Sequence, residues 1–87
     1  MYNASYDEKW PEYFDKLEPN FKERVSKKIK KILEFPQKRH LKKNAKYFVD
    51  EVGQYRIIYM IFEQQKEVRF FFVGTHKEYE KWYKQFF

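Results

Sequence analysis

Arg56 stands near the start of an apolar run, Gln54 to Phe62 (QYRIIYMIF), whose composition is typical of a central strand covered on both faces. An unpaired buried guanidinium is very costly, so Arg56 needs an anion or a water-exposed edge. In the structural interpretation it forms an ion pair with one of the nearby acids, which are Asp50, Glu51 and Glu78. In the functional interpretation it grips a phosphate, for which planar bidentate geometry is well suited.

His76 follows Gly74 and Thr75, where the last predicted strand gives way to the final helix. A lone histidine there can be an ordinary surface or capping residue. Beside a central-strand arginine, however, an imidazole suits general acid–base catalysis, because it titrates near working pH. Tyr79, three residues further on, reads most simply as a core residue, although a ring at the rim of a site could stack on an unpaired base.

Positive charge is concentrated in one part of the chain. The protein has 19 Lys and Arg, 13 Asp and Glu, and a net charge of +6. Residues 1–21 carry −3, residues 22–46 carry +9, and the charges of residues 47–87 cancel. A basic segment of this kind, together with 23% aromatic residues, favours a polyanionic partner such as a nucleic acid or an acidic protein.

Composition excludes several other classes of protein. Without Cys there is no disulfide framework, thiolate metal site or cysteine nucleophile, and two Gly leave no phosphate-cradling loop. With two His and no suitable carboxylates near them, we predict neither a metal site nor a cofactor. The 87 residues predict one domain, 1–87, and the lack of a signal sequence or apolar span predicts a cytoplasmic protein.

Hydrophobic periodicity predicts an α+β fold with the order β-α-α-β-β-β-α. A short strand at residues 2–6 precedes a helix capped by Asp7, and a second helix begins with a capping box of Asn20 and Glu23 and ends near Phe35. A basic loop, residues 39–42, then leads to strands at residues 47–49, 54–62 and 67–73, the last ended by a glycine. Thr75 and Glu78 predict a capping box for the final helix.

Two stretches of the sequence carry a family resemblance. Residues 52–59 (VGQYRIIY) and 73–79 (VGTHKEY) resemble landmarks of the RelE/ParE superfamily of type II toxin–antitoxin toxins, and the second is most similar to HigB-type members. The resemblance implies a helical hairpin packed on a small, mostly antiparallel sheet. It also implies a ribosome-dependent mRNA endonuclease, or mRNA interferase, which inhibits translation through attack of the message's own 2′-hydroxyl. A cognate antitoxin is the implied protein partner, and no metal is implied.

The resemblance also implies roles for individual residues. Arg56 matches the arginine that contacts the scissile phosphate, His76 a general acid or base, and Tyr79 an aromatic residue near the start of the final helix. Six basic residues are candidates for RNA-backbone contacts: Lys38, Arg39, His40, Lys42, Lys43 and Lys46. Taken alone, His40 is interpreted as part of a solvated loop.

Asp50 and Glu51 depart from the family pattern, which has basic residues on this strand in many active members. Two interpretations stay open. Glu51 serves as a catalytic base, or the two acids neutralise Arg56 and leave an inactive protein that only binds RNA or the antitoxin. A further alternative is a ParE-like toxin that inhibits DNA gyrase.

Overall fold

Five strands and three helices make up the part of the chain that the structure describes. The computed structural model describes residues 1–36, 39–41 and 44–86. Within these residues no helix is long and apolar enough to cross a membrane. In chain order the elements are β1 (Asn3–Tyr6), α1 (Trp10–Phe14), α2 (Pro19–Glu34), β2 (Arg39–Leu41), β3 (Asn44–Val52), β4 (Tyr55–Phe62), β5 (Glu67–Thr75) and α3 (His76–Phe86).

The strands form one mixed sheet with the spatial order β1-β5-β4-β3-β2. β1 pairs with β5 in parallel, and the remaining pairs are antiparallel. The predicted α+β class is confirmed. The predicted loop at residues 39–42 was wrong for residues 39–41, because Arg39 and His40 pair with Val49 and Phe48 as part of a short edge strand. Lys42 lies outside the described residues.

The helical hairpin is present, but its start signals differ from the prediction. Lys9, not Asp7, is the N-cap of α1. Asp7 instead closes the preceding turn, since its carboxylate accepts the Lys9 N–H at 3.1 Å and its carbonyl accepts the Trp10 N–H at 2.9 Å. α1 is five residues long, and Leu17 packs into the core from the turn that follows it.

The N-cap of α2 lies two residues earlier than predicted. Pro19 occupies its first turn and Glu18 is the N-cap, without a side-chain hydrogen bond. The predicted capping box was wrong because Asn20 already lies inside the helix, where proline's fixed φ has started it. The predicted end is confirmed, since Phe35 is the C-cap immediately before Pro36.

The sheet has α2 on one face and α3 on the other, as the alternation along β4 predicts. Ile57 and Tyr59 lie on the α2 face, and Arg56 and Ile58 lie on the α3 face. The buried cluster on the α2 face consists of Trp10, Leu17, Val25, Ile29, Ile32, Val52, Ile57, Tyr59, Val68, Phe70 and Val73. The cluster on the α3 face is smaller and consists of Val49, Ile58, Phe72 and Trp82.

β5 contains a bulge and a glycine that shape the α3 face. Tyr59 pairs with Phe70 and Ile58 pairs with Phe72, so Phe71 is an extra residue without a partner in β4. Both Phe71 and Phe72 consequently pack on the α3 face. The prediction that Gly74 ends the strand was wrong, because β5 continues through it to Thr75.

Candidate functional site

Arg56 lies on the α3 face between the two neighbouring strands. Its Cα partners are Glu51 on β3 and Gly74 on β5. The guanidinium carbon is 4.8 Å from the centre of the Tyr79 ring, which α3 places over the sheet. A cation over an aromatic face is attracted by the ring quadrupole, so Tyr79 holds the half-buried Arg56 without neutralising its charge.

Within the described residues, Arg56 forms no ion pair with a carboxylate, so the structural interpretation of this residue does not hold there. Two of the acids predicted as partners are engaged elsewhere. Asp50 faces Lys28 at 3.7 Å on the α2 face, and Glu78 faces Lys16 at 3.7 Å. Neither of these two acids therefore neutralises the positive charge of Arg56.

His76 is the first residue of α3 and lies beside the same tyrosine. The His76 and Tyr79 ring centres are 6.3 Å apart, and the His76 Nε2 is 3.0 Å from a carboxylate oxygen of Glu80. The fold produces this arrangement in two steps. Antiparallel pairing sets Gly74 beside Arg56, and the first turn of α3 then returns Tyr79 over the arginine. Arg56, His76 and Tyr79 thus form one group, which we term the Tyr79 cluster.

Gly74 and the predicted capping box fix the start of α3. The Thr75 N–H donates to the Glu78 carboxylate at 2.9 Å and the Glu78 N–H donates to the Thr75 hydroxyl at 3.3 Å, which confirms the prediction. A Cβ on Gly74 would lie 2.7 Å from the Phe72 ring and 3.0 Å from the Glu78 carboxylate. Only glycine therefore allows α3 to approach the sheet this closely.

The two acids of β3 lie on opposite faces of the sheet. Glu51 is opposite Arg56, and side chains in such cross-strand positions share a face with Cβ atoms about 5 Å apart. Asp50 is opposite Ile57 and turns toward α2. The interpretation in which both acids neutralise Arg56 was wrong, because only Glu51 shares its face. Glu51 is exposed there, at the edge of the Tyr79 cluster.

The basic segment does not form one surface. α2 packs on the face opposite Arg56, so its exposed lysines point away from the Tyr79 cluster. Strand alternation from Asp50 through Phe48 also places Lys46 on the α2 face. Arg39 and His40 lie on the edge strand β2. The other predicted RNA contacts fall outside the described residues: Lys38, Lys42 and Lys43.

Arg69 is a residue of the α3 face that the sequence analysis did not identify. It is opposite Met60, which alternation places on the same face as Arg56, and its guanidinium carbon is 5.8 Å from the centre of the Phe71 ring. The signal was the same as for Arg56, an arginine in an otherwise apolar strand. Among the described residues, no three acidic or histidine side chains are grouped to hold a metal ion.

Comparison with known proteins agrees with this architecture. The fold is similar to the toxin in the intact E. coli RelBE toxin–antitoxin complex, with a TM-score of 0.79 and 23% identity over 86% of this chain and 96% of that one. The isolated E. coli RelE toxin gives a TM-score of 0.78 and 21% identity over 100% of both chains. A RelBE complex from Mycobacterium tuberculosis gives 0.79 and 20% identity over 86% and 91%.

The sequence profile of a toxin family matches almost the entire chain. The family is described as the ParE toxin of the type II toxin–antitoxin system parDE, and it matches residues 3–79. A search of curated protein sequences finds no match. The chain belongs to the ParE toxin family and is a type II toxin of the RelE/ParE superfamily.

Proposed function

We propose that this toxin is an mRNA interferase, an endoribonuclease that cuts messenger RNA on the ribosome and thereby inhibits translation. The observation that supports this most directly is the Tyr79 cluster. The centre of the Tyr79 ring is 4.8 Å from the guanidinium carbon of Arg56 and 6.3 Å from the centre of the His76 ring. A cation stabilises the charge that develops on the phosphate, and a group for proton transfer assists attack by the 2′-hydroxyl or departure of the 5′-oxygen.

In the proposed reaction the 2′-hydroxyl oxygen of one nucleotide forms a bond to the adjacent phosphorus and gives its proton to a base. The bond from phosphorus to the 5′-oxygen then breaks, and that oxygen takes a proton from an acid. The products are a 2′,3′-cyclic phosphate and a 5′-hydroxyl, without any co-reactant. Arg56 stabilises the extra negative charge on phosphorus, His76 is the acid and Glu51 is the base.

The RNA is proposed to lie along the α3 face. Arg69 is opposite Met60, four residues beyond Arg56 on β4. At about 3.3 Å per residue this is about 13 Å along the strand. Two guanidinium groups at this separation would hold different phosphates of a single strand, and an RNA between them would keep the scissile phosphate at the Tyr79 cluster.

An antitoxin is the proposed protein partner. Structures similar to this chain contain RelB antitoxins bound to their toxins. With a net charge of +6, this chain favours an antitoxin segment that is acidic. A toxin that acts on ribosomes and is neutralised in this way would work in the cytoplasm.

Cleavage of mRNA on translating ribosomes tests the proposal. We expect Arg56→Gln to lower the cleavage rate by about 10²–10³-fold, as for loss of one transition-state charge contact. We expect His76→Gln to lower it by about 10²–10⁴-fold, as for loss of a general acid. Lys30→Gln is the matched control, because it removes one positive charge from the exposed side of α2. Equal rates for all three variants and the wild type would overturn the proposal.

Inhibition of DNA gyrase is a second candidate function, because the matching family profile is that of ParE toxins. A supercoiling assay with purified gyrase distinguishes the two. Inhibition of supercoiling together with intact mRNA on ribosomes would select the gyrase target. Salt-dependent RNA binding with neither activity would instead identify an inactive RNA-binding member of the family.

A further inference from the structure

A second feature of the α3 face is a cavity of about 150 Å³ between the end of α3, β3, β5 and the turn before α1. It lies apart from the Tyr79 cluster, toward the C-terminal end of α3. Aromatic rings line it together with three polar side chains, and those used in the argument are Asp7, Lys9, Tyr47, Phe71, Trp82 and Gln85.

The Tyr47 ring stands nearly at right angles to two other rings of this cavity. The Tyr47 ring is 5.5 Å from that of Phe71 at 82°, and 5.6 Å from that of Trp82 at 89°. Edge-to-face contacts at these distances are favourable packing, so Phe71 and Trp82 hold the Tyr47 ring in place. The aromatic wall of the cavity is therefore formed before any guest binds.

The bulge in β5 supplies one wall of the cavity. Phe71 is the extra residue of the bulge, and without it the alternation of β5 would direct successive side chains to opposite faces. Bulges are over-represented beside functional sites, where they redirect a side chain. Here the redirected Phe71 ring lines the cavity, and its centre is 5.8 Å from the guanidinium carbon of Arg69.

The polar groups at the rim select the guest. Asp7 is held in place, because its N–H donates to the Phe70 carbonyl at 2.9 Å and its carboxylate accepts the Lys9 N–H at 3.1 Å. A carboxylate only accepts hydrogen bonds, whereas the Gln85 amide both donates and accepts. Lys9 adds a positive charge that disfavours a cationic guest. Aromatic walls with mixed donors and acceptors match a nucleobase.

We propose that this cavity binds an unpaired nucleobase of single-stranded RNA and prefers bases with an exocyclic amino group, which can donate to Asp7. The inference rests on the proposed function, because the RNA strand that enters the cavity would also pass Arg69 and reach Arg56. The cavity would then be a subsite that sets which nucleotide lies at a fixed distance from the scissile phosphate.

Titration of the purified toxin with nucleoside 5′-monophosphates tests the subsite without ribosomes. We expect the NMR signals of Tyr47, Gln85 and the Trp82 indole N–H to shift with AMP, CMP and GMP, and less with UMP. Inorganic phosphate is the control for binding through the phosphate group alone. The inference is overturned if saturating nucleotide leaves these three residues unshifted, or if tetramethylammonium shifts them and nucleotides do not.

Asp7→Asn tests the preference among bases. The amide oxygen of Asn can still accept the Lys9 N–H, so the turn is retained. We expect about tenfold weaker binding of the amino-bearing nucleotides and little change for UMP, in line with loss of a charge-assisted hydrogen bond. Asp15→Asn, at an exposed position after α1, is the matched control. Equal affinities in the two variants would overturn the role of Asp7. Because no cleavage is measured, failure of the nuclease proposal would appear separately.

Discussion

The two faces of the sheet are built from the same strands and differ in how completely they are closed. On the α2 face, aliphatic side chains of the helix cover the strands, and residues from both layers are fully buried, among them Val25, Ile32, Ile57, Val68 and Phe70. On the α3 face a short helix covers a small aromatic cluster. Half-buried rings, two arginines and an open cavity surround that cluster.

The α2 face provides most of the stability, and the α3 face holds the proposed catalytic groups. Burial of apolar area on the α2 face supplies the larger part of the hydrophobic stabilisation, since its cluster is the larger one. The α3 face can therefore keep cationic groups and unfilled space, which a stability-bearing core could not accommodate. The comparison can be tested by making equivalent changes on each face.

Phe70 and Phe72 provide the largest expected effect. Both are buried, at 0% and 1% exposure, and they face α2 and α3 respectively. We expect Phe70→Ala to lower the free energy of unfolding by about 3–5 kcal/mol through the cavity it leaves in a closed core. We expect Phe72→Ala to lower the free energy of unfolding by less, because α3 has an open cavity beside it and can shift to fill part of the space. Urea denaturation measures both, and an equal or larger loss for Phe72→Ala would contradict the comparison.

Gly74 provides an intermediate effect confined to the α3 face. A Cβ there would contact the Phe72 ring and the Glu78 carboxylate, so we expect Gly74→Ala to cost about 1–3 kcal/mol by overpacking and to displace the first turn of α3. RNA cleavage should fall with it, since His76 lies in that turn.

Gly53→Ala is the control for this prediction. Gly53 has a φ of +58°, so alanine there is strained by about 1–2 kcal/mol, yet its Cβ would meet only the flexible Arg24 side chain on α2. Stability should fall to a similar extent while cleavage is retained, measured at a temperature at which both variants are folded. Loss of cleavage in both variants would show that activity follows stability rather than the position of α3.

The sequence predicts the α3 face only in part, for physical reasons. Alternation along β4 assigns Arg56 to one face, and the spacing of Thr75 and Glu78 predicts the cap that starts α3. The bulge at Phe71 is not predictable, because three consecutive phenylalanines give the same hydrophobic pattern in every register. The face of Arg69 depends on that register, and the sequence did not identify it. The face of Lys46 depends on the register of β3, which its charge does not encode.

Tyr59 provides the smallest expected effect. It tests whether the buried polar atoms of the α2 face are also shielded from water. Its buried hydroxyl donates to the Pro36 carbonyl at 2.9 Å and so fixes the chain just beyond α2. We expect Tyr59→Phe to lower the free energy of unfolding by about 1 kcal/mol at neutral pH. Tyr55→Phe, on the same strand and face, is the matched control.

The pH dependence of the same variant sharpens the test. Burial, with a further contribution from the Asp50 charge, raises the pKa of Tyr59 well above its ordinary value. A raised pKa in the folded state means that stability is fully present below about pH 10, the pKa of an unfolded tyrosine, and is lost as the pH rises beyond it. Removing the hydroxyl should therefore make the alkaline loss of stability shallower in Tyr59→Phe than in the wild type. Parallel curves for the two proteins above pH 10 would mean that this hydroxyl is not sealed from water and that the α2 face opens at its end.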